Sequence, residues 1–370
     1  MKFTRVKLAI GGCYFGMGLV FASWASRIPT IKAALHLSDG RLGQILLALP
    51  VGQLLSMGLA AWLERRWGSR RLTQRGMLFY VCALLGVGLA PNPLTLAAAL
   101  LTLGGLGNLT GIAVNTQAVL AEKVSGKPIM ASFHGCWSLA GFVGALIGLA
   151  LHSTSALFHF TLVAALVAGL TLAVSPYLLE GETNAERKGW KWDAALLPLS
   201  LIGFCSLATE GAMFDWSGVY FREVIHAPGS LVLLGYAAFM ICMAAGRFVG
   251  DRVIERWGQA AVLRGSGWLM SAGLFVAVLF PRIIPATLAF MLVGFAVSSV
   301  IPIVYSLAGR SAKVDPGAAL ATVSSLSYLG FLLGPPLIGG LASAFSLRVS
   351  YAVIGLFGLC IAYLGKETKT

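Results

Sequence analysis

The sequence contains few charged residues for its length. Of its 370 residues, 27 are Lys or Arg and 14 are Asp or Glu, so charged side chains make up 11% of the chain, whereas apolar residues make up 58%. A soluble domain needs about a quarter of its residues charged. No polar region is long enough to form an extramembrane catalytic domain. This composition, with a mean hydropathy of +0.84, excludes a soluble protein and predicts a helical membrane protein.

Residues that carry enzyme chemistry are also sparse. The six cysteines each stand alone in an apolar stretch, with no CxxC pair and no histidine at ligand spacing. No nucleophile, metal-ligand or phosphate-loop pattern is present. The first apolar stretch runs into Ile28 and Pro29 without a small-residue cleavage pattern, so we expect a helix and not a signal peptide. The sequence therefore predicts no enzyme, no metal site and no cofactor.

Long apolar stretches are abundant, and each has about the 20 residues needed to cross ~30 Å of hydrocarbon. We expect twelve, near 6–26, 41–63, 73–90, 94–118, 130–151, 156–178, 194–218, 229–250, 261–280, 283–308, 317–343 and 346–365. A segment rich in charge and glycine at 180–193 separates the first six from the second six. The prediction is an all-α polytopic protein with an N-terminal bundle at 1–179, a cytoplasmic linker at 180–193 and a C-terminal bundle at 194–370.

The net charge of +13 is unevenly distributed over the loops. With a cytoplasmic N-terminus, most basic residues fall in inside segments, and the exceptions are Arg27, Lys32, Arg41, Arg222, Arg282 and Arg348. By the positive-inside rule this bias predicts that both termini are cytoplasmic. Acidic lipid headgroups then balance the basic residues, so no nucleic acid partner is needed. We expect a monomer in the inner (plasma) membrane.

The two halves of the chain match each other at an offset of 189 or 190 residues. Trp67 and Gly68 reappear as Trp257 and Gly258, each pair following a run that contains glutamate and arginine. Two other matches occur in the same order, namely Lys123 and Val124 with Lys313 and Val314, and Ser138, Gly141 and Phe142 with Ser327, Gly330 and Phe331. Parallel repeats of this kind are typical of transporters, whose substrate site lies near mid-membrane at the repeat interface.

The chain resembles the major facilitator superfamily over essentially its whole length. The loop signature of that family is similar to the segment from Gly246 to Gly258, and the glycines and prolines between Gly330 and Gly340 resemble its packing motif on helix 11. The segments SRIPTIKAALHLSDGRLG, HGCWSLAGFVG and EGAMFDWSGVYFRE are similar to small bacterial permeases of the YbjJ type. The resemblance implies two six-helix bundles, alternating access and a small-molecule substrate. It also implies a conformational latch, formed by Glu64, Gly68, Arg247, Asp251 and Arg252.

Glu210 is the main candidate for chemistry, because it lies deep within predicted helix 7. Gly203, Ser206, Glu210 and Ser217 fall on one stripe of that helix, which should face a cavity. A carboxylate in such surroundings can bind and release a proton near neutral pH, as a proton carrier must. The alternative is a permanent ion pair that holds helix 7 to a neighbour. Asp215, five residues on, is expected to meet Arg222 at the outer surface.

Arg27 is the predicted partner of Glu210, because both residues should lie near the same outer depth. We expect the two residues to approach one another in one state of the transport cycle and to separate in the other, as an outer gate or a coupling pair. The alternative is that Arg27 extends its charge to the lipid headgroups.

Further polar and aromatic residues are candidates for lining a substrate cavity. Helix 4 carries Asn108, which we assign to the cavity, and Asn115, which we assign to helix packing. His134 on helix 5 could titrate during transport or serve structure, and His159 should only pack. The complete set of cavity candidates is Trp24, Asn108, His134, Trp137, Tyr236, Tyr305 and Tyr328.

Three functions fit this pattern. The first is proton-coupled uptake of a small polar solute, which the predicted position of Glu210 supports. The second is proton-driven efflux of amphipathic compounds; antiporters of the family often carry a glycine-proline motif on helix 5, and no proline lies between His134 and Leu151. The third is a membrane sensor or scaffold, which the lack of a large loop disfavours. Partners would be the substrate, protons and lipids.

Overall fold

A computed structural model describes residues 2–125, 129–180, 196–309 and 316–366. Within these ranges the chain forms thirteen α-helices and two short 3-10 turns. The first half contains α1 (Lys2–Ala34), α2 (Asp39–Leu46), α3 (Ala48–Gly88), α4 (Pro93–Ser125), α5 (Met130–Ala150) and α6 (Ala156–Val174). The second half contains α7 (Leu197–Glu223), α8 (Leu234–Trp257), α9 (Gln259–Leu279), α10 (Ile283–Val297), α11 (Val300–Gly309), α12 (Pro316–Ala344) and α13 (Leu347–Leu364). The 3-10 turns are Ser175–Tyr177 and Gly229–Leu231.

These helices have the length and composition of membrane spans. Within the described ranges, eleven helical segments are long and apolar enough to cross a membrane. The predicted span at 73–90 has no candidate of its own; it lies in the part of α3 that follows the non-helical residue Gly68. Large apolar side chains such as Leu94 and Ile284 are 77% and 73% exposed, as expected for residues that face lipid tails. The predicted all-α polytopic class is confirmed.

Two glycines set the turns between consecutive helices in the two halves. Gly68 interrupts α3 with φ 73° and ψ 157°, and Gly258 separates α8 from α9 with φ 79° and ψ 157°. This backbone region is accessible almost exclusively to glycine, which explains why the tryptophan-glycine pair occurs at both positions. The repeat noticed in the sequence therefore coincides with a repeated backbone conformation.

The described helices group into two compact units. Unit 1 comprises Met1–Leu37 and Gln44–Ala185, and unit 2 comprises Ser38–Gly43 and Glu186–Thr370. In unit 1, α1 packs mainly on α5, and α3 packs on α4 and α6; in unit 2, α7 packs on α12, α8 on α10, and α9 on α13. The predicted linker at 180–193 lies outside the described residues except for Glu180, so the predicted division of the chain at that point stays a prediction.

Glycines permit the closest helix contacts inside each unit. A Cβ on Gly104 of α4 would lie 1.9 Å from the carbonyl oxygen of Leu49, and a Cβ on Gly294 of α10 would lie 2.2 Å from that of Phe239. Both residues of the second contact lie 190 positions after those of the first. Small residues of this kind let helix backbones approach closely in a membrane, so corresponding glycines support corresponding helix pairs.

The chain after α6 is fixed to unit 1 by polar contacts. The Gln117 side chain donates to the carbonyl oxygen of Leu179 and accepts from its backbone N–H, at 2.7 and 2.8 Å. Gln117 also donates to Ser69 Oγ at 2.7 Å, and Arg70 forms an ion pair with Glu180. The segment that leads into the predicted linker is therefore held against α3 and α4.

Candidate functional site

Glu210 lies midway between Leu197 and Glu223, at the centre of α7. The residue is only 6% exposed, and every residue from Ala208 to Phe221 is buried. Among the described residues the carboxylate accepts no hydrogen bond, and its one ion pair is with Arg247 near the middle of α8, where Glu210 Oε2 and Arg247 Nη2 are 3.9 Å apart. The structure therefore places an acid and a base together in the middle of unit 2.

The predicted polar stripe on α7 is mainly a packing surface. A Cβ on Gly203 would lie 1.9 Å from Ser327 Oγ of α12, and Gly211 lies against the ring of Phe331. Ser206 and Ser217 are fully buried, and their hydroxyls have no hydrogen-bond partner among the described residues. The expectation that this whole stripe faces a cavity is wrong at Gly203, because close contact with α12 requires a small residue there.

Tyr305 and Tyr328 extend the polar surroundings of Glu210 within unit 2. Tyr305 of α11 lies beside Ser324 of α12 and within electrostatic reach of Glu210. Tyr328 of α12 stacks on Phe331 with ring centroids 6.0 Å apart, and its buried hydroxyl has no partner within the described part of the chain. These tyrosines, predicted as cavity residues, remain candidates for binding a polar solute.

Arg27 is bound within unit 1, contrary to the prediction that it extends to the lipid headgroups. Its Nε donates to His159 Nδ1 at 2.9 Å. Its Nη1 donates to the Thr154 carbonyl at 3.0 Å, and its Nη2 donates to the Leu151 carbonyl at 2.6 Å and to Thr154 Oγ1 at 3.2 Å. Arg27 is 1% exposed, so it does not extend to the headgroups. The predicted approach of Arg27 and Glu210 in one state of the transport cycle stays a prediction.

The Arg27 cluster explains how α1 is joined to the turn between α5 and α6. The carbonyls of Leu151 and Thr154 follow the end of α5, where a helix leaves carbonyl groups unsatisfied and favours positive charge. His159 accepts through Nδ1, so its proton lies on Nε2, which is buried without an acceptor among the described residues. The prediction that His159 only packs is wrong, because it binds Arg27.

Asn108 also serves helix packing instead of a cavity. Its side-chain nitrogen donates to the carbonyl oxygen of Gln53 and to Ser56 Oγ, each at 3.0 Å. Both acceptors lie on α3, so the amide joins α4 to α3. Asn115, which was assigned to packing, accepts a hydrogen bond from the hydroxyl of Tyr14 on α1. The cavity assignment of Asn108 is therefore corrected.

The remaining aromatic candidates of unit 1 lie along α1 and α5. Trp24 is 1% exposed, and its indole N–H has no partner within the described residues. Trp137 packs against Phe21 with ring centroids 5.7 Å apart. His134 is exposed and places its ring edge against Tyr14 at 5.2 Å. Only Trp24 thus combines full burial with an unused donor.

The predicted latch residues have different surroundings. Gly68 forms the interruption in α3, and Glu64 has a buried carboxylate oxygen with no partner in the described part of the chain. Arg252 is exposed, and the side chain of Asp251 lies outside the described residues. Arg247 was assigned to switching and not to binding, yet it belongs to the pair with Glu210. The predicted span at 229–250 placed Arg247 near its end, whereas α8 extends to Trp257 and so places Arg247 near mid-helix.

Comparisons with known proteins show relatives over nearly the whole chain. A family model described as the Major Facilitator Superfamily matches residues 8–313 and 199–368. An uncharacterized MFS-type transporter of Yersinia pestis is 33% identical over 361 residues, which cover 94% of this chain and 92% of that protein. The membrane protein MosC of Rhizobium meliloti is 32% identical over 361 residues, which cover 96% of this chain and 88% of MosC.

Solved structures share the fold. The nucleoside transporter NupG matches with a TM-score of 0.79 at 13% identity, covering 99% of this chain and 100% of that one. A bacterial homolog of the human lysosomal transporter Spinster matches with a TM-score of 0.78 at 15% identity, covering 98% and 96%. At these identities the likeness concerns the fold alone, and it confirms the predicted fold. The chain therefore belongs to the Major Facilitator Superfamily, and it is a multi-pass secondary transporter and not an enzyme.

Proposed function

We propose that this transporter couples uptake of a small polar solute to protons, with Glu210 as the proton site and Arg247 as its counter-charge. The observation that carries the proposal is the loose pairing of a buried carboxylate at the centre of α7. Its nearest cation is 3.9 Å away, and among the described residues it accepts no hydrogen bond.

Two of the buried charged residues, Arg27 and Glu210, differ in a way that favours this role. Arg27 has four hydrogen bonds of 2.6 to 3.2 Å, as a permanent structural cation requires. Two unit charges about 4 Å apart attract by about 4 kcal/mol at an effective dielectric constant of 20, whereas burying each ion costs several kcal/mol. The attraction to Arg247 therefore does not commit Glu210 to the charged form, and the carboxyl can exchange its proton.

Protonation of Glu210 would also change the interactions of Arg247. With a neutral carboxyl beside it, the guanidinium loses its attraction to α7 and can bind an acceptor on the solute or on another helix. A proton can shift a conformational equilibrium only through such a difference in binding between states. We infer that binding and release of this proton bias the alternating-access cycle, and that Tyr305 takes part because it lies within electrostatic reach of Glu210.

Several finer features belong to the same proposal. We propose twelve membrane crossings in an inner membrane, both termini in the cytoplasm and a monomeric transporter, on the strength of the loop charges and the repeat. The similarity to permeases of the YbjJ type is also a proposal. NupG is a nucleoside transporter by its name, but at 13% identity that name supports no particular solute for this chain.

The test requires a transported solute, found by screening small polar compounds for stabilisation of the purified protein. Proteoliposomes are then assayed for accumulation driven by an inward proton gradient and for exchange without a gradient. Glu210→Gln should lose gradient-driven accumulation by about tenfold or more, equal to about 1.4 kcal/mol of driving force, while it retains exchange. Glu223→Gln, which changes an exposed acid on the same helix, should retain both.

Two results would count against the proposal. Accumulation by Glu210→Gln equal to that of the wild type would remove the proton role of Glu210. Gradient-driven extrusion of amphipathic compounds, without uptake of any polar solute, would favour the efflux alternative.

A further inference from the structure

Asp215 is a second buried acid in unit 2, and the proposed mechanism does not use it. It is 8% exposed on α7. Within the described part of the chain its carboxylate accepts no hydrogen bond and pairs with no cation. The predicted partner, Arg222, is exposed near the end of α7, so the expected surface pair is wrong. A buried carboxylate without a partner is costly, which raises the question of what ligand completes its surroundings.

The hydroxyl of Tyr236 is unpartnered in the same region. Tyr236 of α8 is 1% exposed, and its hydroxyl has no hydrogen bond to any described residue. The Asp215 carboxylate lies close enough to interact electrostatically with Tyr236 and with Tyr351 of α13. Two buried polar groups that lie near each other without bonding to each other leave both free to bind a third group.

Aromatic rings pack beside Tyr236. The ring of Phe214 meets Tyr236 edge-on with centroids 6.5 Å apart, and it meets Phe239 at 5.7 Å. A carboxylate supplies opposite charge, a phenol oxygen accepts a hydrogen bond, and aromatic faces attract cations. This set of groups suits an organic ammonium ion. A calcium or magnesium ion would need six or more oxygen ligands, and one carboxylate and one phenol are too few.

We propose that Asp215 and Tyr236 recognise the ammonium group of the transported solute, with Asp215 as counter-ion and the Tyr236 hydroxyl as acceptor. The inference rests on the proposed uptake function and narrows its substrate class to small polar amines. Arg247 lies near the middle of α8 and Tyr236 near its start, so the proton site and the ammonium site are separate groups. The proton site changes the driving force for transport, and the ammonium site decides which solute binds.

The experiment compares three probes of equal length and different charge on the full-length protein in lipid nanodiscs. The probes are 2-aminoethanol as a cation, ethylene glycol as its neutral analogue and glycolate as an anion, and the readout is the thermal unfolding temperature. Ligands of four or five non-hydrogen atoms bind weakly, so each is titrated over about 0.1 to 100 mM. We expect a saturable rise in unfolding temperature with 2-aminoethanol alone.

Variants assign the effect to the proposed groups. Asp215→Asn should weaken the apparent affinity for 2-aminoethanol at least tenfold, and Tyr236→Phe should weaken it several-fold. Glu223→Gln, which changes an exposed acid on the same helix, should leave the affinity unchanged. Proton coupling through Glu210 is measured separately by gradient-driven accumulation, so failure of the ammonium site and failure of the proton site give different results. If Asp215→Asn does not fold, Tyr236→Phe decides, because it removes only the hydroxyl.

The proposal is overturned if ethylene glycol stabilises the protein as much as 2-aminoethanol does. Absence of any stabilisation by 2-aminoethanol up to the highest concentration, or affinity unchanged in both Asp215→Asn and Tyr236→Phe, would overturn it equally.

Discussion

Replacing Gly258 by alanine isolates the cost of one backbone conformation. Gly258 has φ 79° and ψ 157°, and an added Cβ would meet no atom within 4 Å. Packing therefore contributes nothing, and the whole effect comes from forcing a residue with a Cβ into a region that glycine alone occupies readily. Such strain costs about 1 to 3 kcal/mol. We expect Gly258→Ala to lower the free energy of unfolding by that amount.

Gly265 provides the matched control, seven residues later in α9. It is helical, and an added Cβ there also meets no atom within 4 Å. Alanine is favoured over glycine in a helix by about 0.5 to 1 kcal/mol, so Gly265→Ala should be neutral or stabilising. Unfolding of both variants by denaturant or heat in the same detergent measures the difference. Equal stability of the two variants would refute the claim that the repeated glycine is retained for its backbone conformation.

Two further predictions separate structural from transport roles. Arg27→Met leaves His159 Nδ1 and the Thr154 carbonyl without their donor, whereas the Leu151 carbonyl still accepts from Thr154. Unsatisfied buried groups cost about 1 to 3 kcal/mol each, so we expect a loss of about 2 kcal/mol or more in unfolding free energy, a smaller loss for Arg27→Lys and none for the exposed Arg252→Met. A role in gating alone would instead impair transport at unchanged stability. Asn108→Leu removes two hydrogen bonds to α3, each worth about 0.6 kcal/mol in a membrane protein. We expect the unfolding free energy to fall by about 1 kcal/mol while the affinity for the solute is retained. Reduced affinity at full stability would instead restore the cavity assignment of Asn108.

The fold was predictable because its determinants are local and repeated. Apolar runs long enough to cross a membrane predict the helices, and matches between the halves at a nearly constant offset predict the duplication. The tryptophan-glycine pairs mark turns that only glycine adopts easily, and Gly104 and Gly294 mark equivalent helix crossings. The structure differs mainly near Gly68, where the expected loop is reduced to one non-helical residue between the two helical parts of α3, because a single kink at glycine is enough to redirect the chain.

The partners of the buried polar residues were much harder to predict. Position along a helix gives depth, so Glu210 was recognised as a residue deep in the membrane region, whereas Asp215 was assigned to the outer surface. Depth does not show which helix lies opposite. Arg27 illustrates this limit, because its acceptors are two backbone carbonyls, a hydroxyl and an imidazole. Backbone carbonyls at a helix end carry no side-chain signature, and a pairing rule based on opposite charges chose Glu210 instead.

Asn108 and His159 show a second limit. Hydrogen-bonding side chains in apolar helices can line a cavity or join two helices, and the same residue type serves both roles. Asn108 binds α3 and His159 binds Arg27, so each joins helices inside unit 1. Only the position of the neighbouring helix distinguishes these roles, and that position depends on the packing of the whole unit.

The most direct test of proton coupling through Glu210 is a measurement of proton movement itself. Proteoliposomes containing a trapped pH dye receive the transported solute on the outside, at equal pH on both sides. We predict that solute entry acidifies the lumen with the wild-type protein and that Glu210→Gln, which still exchanges solute, produces no acidification. Solute entry without acidification in the wild type, or unchanged acidification in Glu210→Gln, would contradict the account.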